Sequence, residues 1–198
     1  MELNKIAEIR SGHLNRGRIV SREDGSHFLI QARDTIADSL ICDTNNLVRF
    51  KPNLSPSDRV LKIGDILFMA RGSRNFALLL NDPPDSTLAA ACFFVIRVTS
   101  SQVLSVYVAW YLNQNKVKNY LRRYSGRSVH MPIVRRSVLE GIEIPIPQPE
   151  TQRRIAELDF LEREEEMLLQ KLSKKRKNLI TAVCLRAAEA DKKVRNLK

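Results

Sequence analysis

Apolar and polar positions follow two different rhythms along these 198 residues. Up to residue 148 the chain is cut into short apolar runs separated by turn-forming residues. Leu47-Val48-Arg49-Phe50, Asp65-Ile66-Leu67-Phe68-Met69 and Cys92-Phe93-Phe94-Val95-Ile96-Arg97-Val98 are short and rich in β-branched and aromatic side chains, and predict strands. Gly64-Asp65, Arg71-Gly72-Ser73 and Asn81-Asp82-Pro83-Pro84 predict the turns or loops between them. One stretch has helical spacing instead: Leu104, Tyr107, Val108, Tyr111 and Leu112 share a face, with Ser100 or Ser101 available as a cap. The phase slips at Asn113-Gln114-Asn115, and a second stripe follows at Val117, Tyr120, Leu121 and Tyr124, with Gly126 as a stop. Strands and helices mixed in this way predict an α+β domain over residues 1–148. No internal repeat is visible.

Ile144-Pro145-Ile146-Pro147-Gln148-Pro149 ends that pattern, because prolines at alternate positions force extended backbone. Pro149 suits the first turn of a helix, and residues 150–198 contain neither Gly nor Pro. This second segment, 149–198, is rich in Glu, Lys, Arg, Leu and Ala and predicts one long helix. Ile155, Leu158, Leu161, Leu168, Leu172, Leu179 and Val183 recur at spacings of three, four or their sums, a seam for a partner helix interrupted near Glu165 and Lys175. From residue 150 to 188, about 39 residues at roughly 1.5 Å each make a rod on the order of 58 Å. Nothing in the first segment is long enough to cover it.

Charge gives the seam a direction. Glu162-Arg163-Glu164-Glu165-Glu166 lies in its first half and Lys174-Lys175-Arg176-Lys177 in its second. Two parallel copies would set like against like. Two antiparallel copies crossing near Leu169-Gln170 set each acidic block beside a basic one and bring residue 165 of one copy to residue 175 of the other. The sequence therefore predicts an antiparallel two-helix pairing, against the alternative of a solvated face carrying weak (i, i+4) pairs.

The whole chain has 33 Lys and Arg against 22 Asp and Glu, a net charge of +11, which favours polyanions as partners. The excess is shared: residues 149–198 hold 13 basic and nine acidic side chains, so most of it lies on the patterned first segment, as a surface. Cys42, Cys92 and Cys184 are too far apart to suggest a disulfide framework or a paired-thiol zinc site. The N-terminus lacks the apolar core of a signal peptide, and no apolar run approaches the roughly 20 residues that span a bilayer. The expectation is a cytoplasmic protein with no membrane partner.

Catalytic patterns are weak. Asp82-Pro83-Pro84 resembles part of the adenine methyltransferase signature, but Asp85 stands where a base-stacking aromatic is needed, and no glycine-rich cofactor loop accompanies it. His13, His27 and His130 have no close ligand spacing for zinc and no evident Ser/His/Asp arrangement. Glu23-Asp24 and Asp58 lack the patterned carboxylates and lysine of a metal-dependent nuclease. The chain is expected to be non-catalytic, with no metal and no cofactor.

Several separated segments resemble the specificity subunits of type I restriction-modification enzymes. Leu3-Asn4-Lys5-Ile6-Ala7-Glu8-Ile9-Arg10-Ser11-Gly12 is similar to the start of a target-recognition domain of that family. Leu61-Lys62-Ile63-Gly64-Asp65-Ile66-Leu67-Phe68-Met69-Ala70-Arg71-Gly72-Ser73 resembles its central Gly-Asp-Ile-Leu strand and basic turn. Ile142-Glu143-Ile144-Pro145-Ile146-Pro147-Gln148-Pro149-Glu150-Thr151-Gln152-Arg153-Arg154-Ile155-Ala156, the most specific of the three, resembles the junction that opens the spacer helix. The resemblance implies a sequence-specific reader of double-stranded DNA that contacts half of a bipartite site. It also implies partnership with a methyltransferase subunit and, where the complex has one, a restriction subunit. Family members usually carry two domain-plus-helix units, whereas this chain has room for one. It thus resembles a half-subunit completed by a second copy, or a piece of a longer subunit.

Specific DNA binding needs cations along phosphates and Arg, Lys, Asn, Gln, Ser or His at base edges. Two segments supply both: Arg71, Ser73, Arg74 and Asn75 after a strand, and Arg122, Arg123, Arg127, Ser128, His130, Arg135 and Arg136 around the end of a helix. The resemblance puts the second loop on the DNA side, with Arg127, Ser128 and His130 as readers. Arg16, Arg18 and Arg33 are weaker candidates for phosphate contacts. The competing reading is a coiled-coil adaptor that binds RNA or protein and has no specific duplex target.

Overall fold

The structure is a computed structural model that describes residues 1–14, 19–36, 40–52, 57–72, 74–124 and 133–195. The elements run β1 (Ala7–Ser11), β2 (His27–Ile30), β3 (Thr35–Ile36), β4 (Ile41–Cys42), β5 (Val48–Phe50), β6 (Ile66–Met69), β7 (Ala77–Leu79), β8 (Thr87–Ala89), β9 (Phe93–Val98), then α1 (Ser105–Leu112), α2 (Asn115–Tyr124), α3 (Arg136–Glu140) and α4 (Pro149–Arg195). The chain forms two compact units, Met1–Ala156 and Glu157–Lys198. The first is α+β.

Its centre is an antiparallel four-stranded sheet in the order β1-β9-β6-β7. The apolar run in β6 is continuous because the strand is buried on both faces. Ile66 and Phe68 join a cluster with Ile9, Ile96, Tyr107, Val108, Leu112, Leu121 and Leu139, which the helices α1, α2 and α3 cover. Leu67 and Met69 point the other way, into a cluster with Ile30, Leu78, Ala89, Phe93 and Val95. That second layer leads to a smaller sheet, β5-β2-β8, in which β2 pairs antiparallel with β5 and parallel with β8. β3 and β4 form a short pair of their own.

A buried ion pair fixes the entry to β6. Gly64 adopts φ +85°, a left-handed turn conformation that glycine takes without strain. The turn delivers Asp65, 1% exposed, to Arg97 on β9, which grips it with two hydrogen bonds of 2.7 and 2.6 Å. The same carboxylate accepts the Lys62 backbone N–H at 2.8 Å.

The α1 and α2 helices begin and break where their apolar stripes change phase. Neither Ser100 nor Ser101 caps α1, however: the N-cap is Leu104, in extended conformation and without a side-chain cap. Residues 100–103 close a turn instead, with the Val103 N–H donating to the Ser100 carbonyl at 3.3 Å. Tyr107 and Tyr111 are buried and Trp110 flanks them, as core packing requires. Asn113 ends α1 by clamping the edge strand β7. Its Oδ1 accepts the Ala77 N–H at 3.0 Å, and its Nδ2 donates to the Ala77 carbonyl at 2.7 Å.

The first turns of α4 belong to the first unit. Gln152 is fully buried: its Oε1 accepts the Leu104 N–H at 2.9 Å, and its Nε2 donates to the carbonyls of Gln102 and Pro147 at 2.9 and 2.8 Å. Ile155 packs against the core beneath it. The helix continues past residue 188 to Arg195. In the second unit Leu158, Leu161, Leu168, Leu172, Leu179 and Val183 are exposed, together with Phe160, Leu169, Ile180 and Leu185. Among the described residues, no helix is long and apolar enough to cross a membrane.

Candidate nucleic-acid interface

Strand register decides what emerges at each end of the central sheet. Ser11 pairs with Phe94, Phe93 with Met69, and Phe68 with Ala77. The C-terminal ends of β1 and β6 therefore lie beside the N-terminal ends of β9 and β7. Backbone hydrogen bonds lock this end: Gly12 N–H donates to Phe93 O at 3.0 Å, and the N–H groups of Ala70 and Arg71 both donate to Cys92 O, at 2.9 and 3.1 Å. Gly12 has no room for a side chain, since a Cβ there would lie 2.1 Å from the Ala90 carbonyl oxygen.

The two basic segments of the sequence meet here. Arg71 forms an antiparallel bridge with Ile133, and the Val134 N–H donates to Ala70 O at 2.9 Å. Ala70 and Arg71 thus lie beside Ile133 and Val134, although about 60 residues separate them in the chain. Arg71, Arg74, Arg122, Arg123, Arg135 and Arg136 are all exposed. They are not equivalent. Arg136 donates to Glu140, one helical turn on, at 2.7 Å. The half-buried Asn75 donates through its amide to Met69 O at 2.8 Å, which shapes the turn. Arg33 pairs with the neighbouring Asp34 at 3.6 Å. Ser73, Arg127, Ser128 and His130, like Arg16 and Arg18, lie outside the described residues.

The same sheet end carries groups that sequence reasoning passed over. Arg10 donates to the Asp58 carbonyl and pairs with Glu8 at 3.4 Å. His13 packs its ring against Phe50 at 5.7 Å. Burial lowers its pKa, and the charges of Arg59 and His27 lower it further. At neutral pH this places His13 as a neutral donor and acceptor. No sequence signal links His13 to Arg59; the fold brings their charges within reach. Lys116 and Lys118 were legible, since α2 holds them with Arg122 and Arg123 and contains no acidic residue.

Elsewhere the chemistry is structural. In the Asp82-Pro83-Pro84-Asp85 loop the Pro84 carbonyl accepts the Thr87 hydroxyl at 2.6 Å, turning the chain into β8. The Cys42 thiol is pushed up to about 11, mainly by burial and then by Asp34 and Asp43. Burial raises the Cys92 thiol as well. Both are protonated at neutral pH, which suits packing rather than nucleophilic chemistry. Among the described residues, no three His, Cys, Asp or Glu side chains gather to hold a metal.

No protein-family model matches the chain, and no curated protein does. Solved structures do. The chain is similar to the HsdS subunit from Thermoanaerobacter tengcongensis, with a TM-score of 0.62 and 18% identity, over 84% of this chain and 43% of that one. It is similar to a chain from the structural basis of complex assembly and conformational transition of the type I R-M system, with a TM-score of 0.58 and 16% identity, over 84% of this chain and 38% of that one. A third match is the type I restriction-modification system S subunit from M. genitalium, with a TM-score of 0.51 and 10% identity, over 80% of this chain and 37% of that one. This chain spans less than half the length of each. Its fold is that of a type I restriction-modification S subunit.

Proposed function

We propose that this chain is a sequence-specific DNA-recognition subunit of a type I restriction-modification enzyme, non-catalytic itself, that directs a methyltransferase subunit to one half of a bipartite target. A restriction subunit joins where the complex has one. The observation that supports this reading is the pairing of Arg71 with Ile133 at one end of the central sheet, which joins the two basic segments, on a chain of net charge +11 with the S-subunit fold. Arg71, Arg74 and Arg135 in these segments are exposed cations, and so are Arg122 and Arg123 on α2. Arg127, Ser128 and His130 are the proposed base readers. Arg127→Ala, assayed with the methyltransferase subunit present, is expected to weaken binding to the cognate duplex by about 1–3 kcal/mol and leave unrelated duplexes unaffected. Equal affinity of mutant and wild type for the cognate duplex removes Arg127 from the readers.

The second half of the target is read by a second copy, paired antiparallel through the exposed apolar seam of α4. The polarised blocks at 162–166 and 174–177 support that direction. A mixture of Glu165→Cys and Lys175→Cys chains, each also carrying Cys184→Ala, is expected to cross-link 165 to 175. Efficient 165-to-165 linkage with none to 175 contradicts the antiparallel pair.

A further inference from the structure

We infer that α2 is a phosphate-tracking helix, in which Lys116, Lys118, Arg122 and Arg123 supply the sequence-independent part of DNA affinity. The inference rests on the DNA-recognition reading above and gives one element of that surface a separate role. The α2 helix has ten residues, four of them cationic and none acidic. Val117 and Leu121 are buried on its inner face. At 100° per residue the four cations, with Asn115 and Asn119 between them, fan across the opposite side, and all six are exposed. Lys118 and Arg122, at (i, i+4), lie on one flank; Lys116 and Arg123 lie on the other.

Among the described residues, several other cations of the chain are neutralised by nearby carboxylates, and those of α2 are not. Lys5, Arg10, Arg33, Arg136, Arg153, Arg154 and Arg163 each lie within an ion-pair distance of a nearby carboxylate. Among the described residues, none of the four α2 cations forms an ion pair with a carboxylate. A helix of such cations repels itself at (i, i+4) and gains stability only when an anion lies against it. Its place in the fold selects the anion. Asn113, two residues before α2, holds the first residue of β7 at the sheet end from which residues 71–75 leave. Tyr124 ends α2 directly before residues 125–132. The α2 helix also packs against α3, whose N-terminus carries Arg135 and Arg136. A regular row of phosphates matches such a convex cationic arc; lysine, a point charge without a planar fork, serves phosphate better than base edges.

The test uses the full chain with its methyltransferase subunit and measures duplex affinity across a range of salt. Each phosphate contact contributes about 0.9 to the slope of log K against log salt. In the Lys118→Gln/Arg122→Gln variant the slope is expected to fall by about 2, and by the same amount on cognate and scrambled duplexes. Lys5→Gln/Lys62→Gln, which removes the same charge at the opposite end of the sheet, is expected to leave the slope within about 0.5 of wild type. An unchanged slope in the α2 variant overturns the inference while leaving the DNA reading intact. So does a loss confined to the cognate duplex, or an equal loss in the control. A wild-type complex that binds no duplex, or prefers single-stranded RNA of equal length, overturns both. Because the substituted side chains are exposed, the variant is expected to melt with wild type, which keeps the slope interpretable.

Discussion

Replacing Asp65 with alanine is expected to destabilise the globular unit by about 3–5 kcal/mol, the usual result of removing one partner from a buried ion pair. The carboxylate is 1% exposed and receives three hydrogen bonds, two from Arg97 and one from the Lys62 N–H. Its loss strands a half-buried guanidinium that keeps its proton, because arginine is charged at any pH a protein experiences, and removes the hydrogen bonds that raise the Arg97 pKa in the native pair. It also frees the turn at Gly64 that aims β6. A thermal melt checks this: for a chain of this size the midpoint is expected to fall by roughly 10 °C. Asp65→Leu combined with Arg97→Met, which removes both charges, is expected to regain most of the loss. A single variant that melts within about 2 °C of wild type contradicts the assignment.

Gln152→Leu is expected to cost about 3 kcal/mol, because it preserves volume and removes every side-chain hydrogen bond of a fully buried amide. The Leu104 N–H and the carbonyls of Gln102 and Pro147 lose their partner together. The effect has an address as well as a size. Hydrogen exchange at the Leu104 amide is expected to accelerate by at least an order of magnitude, more than at amides in β6 or β9. Uniform acceleration across the unit, or none, contradicts a local clamp. The residue sits in the segment that most resembles the family's spacer junction, and its burial gives that segment a physical role, which is to fasten the start of α4 to the loop that opens α1.

Several elements were legible because their residues announce their surroundings. The β6 strand is apolar on both faces, and β9 is apolar along its length except for Arg97, so both read as strands. The α1 and α2 helices follow from their stripes and from the phase slip at Asn113. Other elements were not. The β2 and β8 strands are four and three residues long, and their parallel pairing joins Leu29 to Leu88. Such a pairing leaves no local pattern. The α3 helix is five residues long, too short for periodicity to register. Ser100 and Ser101 looked like caps because their side chains suit that role, but the backbone turns before the helix begins.

The candidate interface was legible in composition and invisible in assembly. Arginines near 71 and 136 were evident, whereas the bridge between Arg71 and Ile133 depends on the folded core. Arg136, expected to face DNA, instead pairs with Glu140 at (i, i+4). Nothing in the sequence could foretell that the Asn75 amide donates to the Met69 carbonyl, because that contact depends on the turn the chain makes after β6. The four cations of α2, with no acidic residue among them, could have been read from composition alone, and the structure gives them meaning by burying Val117 and Leu121 behind them.

The central claim is that this chain chooses where on DNA a partner acts. Its most direct test is genome-wide mapping of methylated bases in cells that carry the neighbouring methyltransferase subunit, with and without this protein. The account predicts an interrupted palindromic motif, modified on both halves, that disappears when this protein is removed. A methylation pattern that is the same with and without the protein contradicts it.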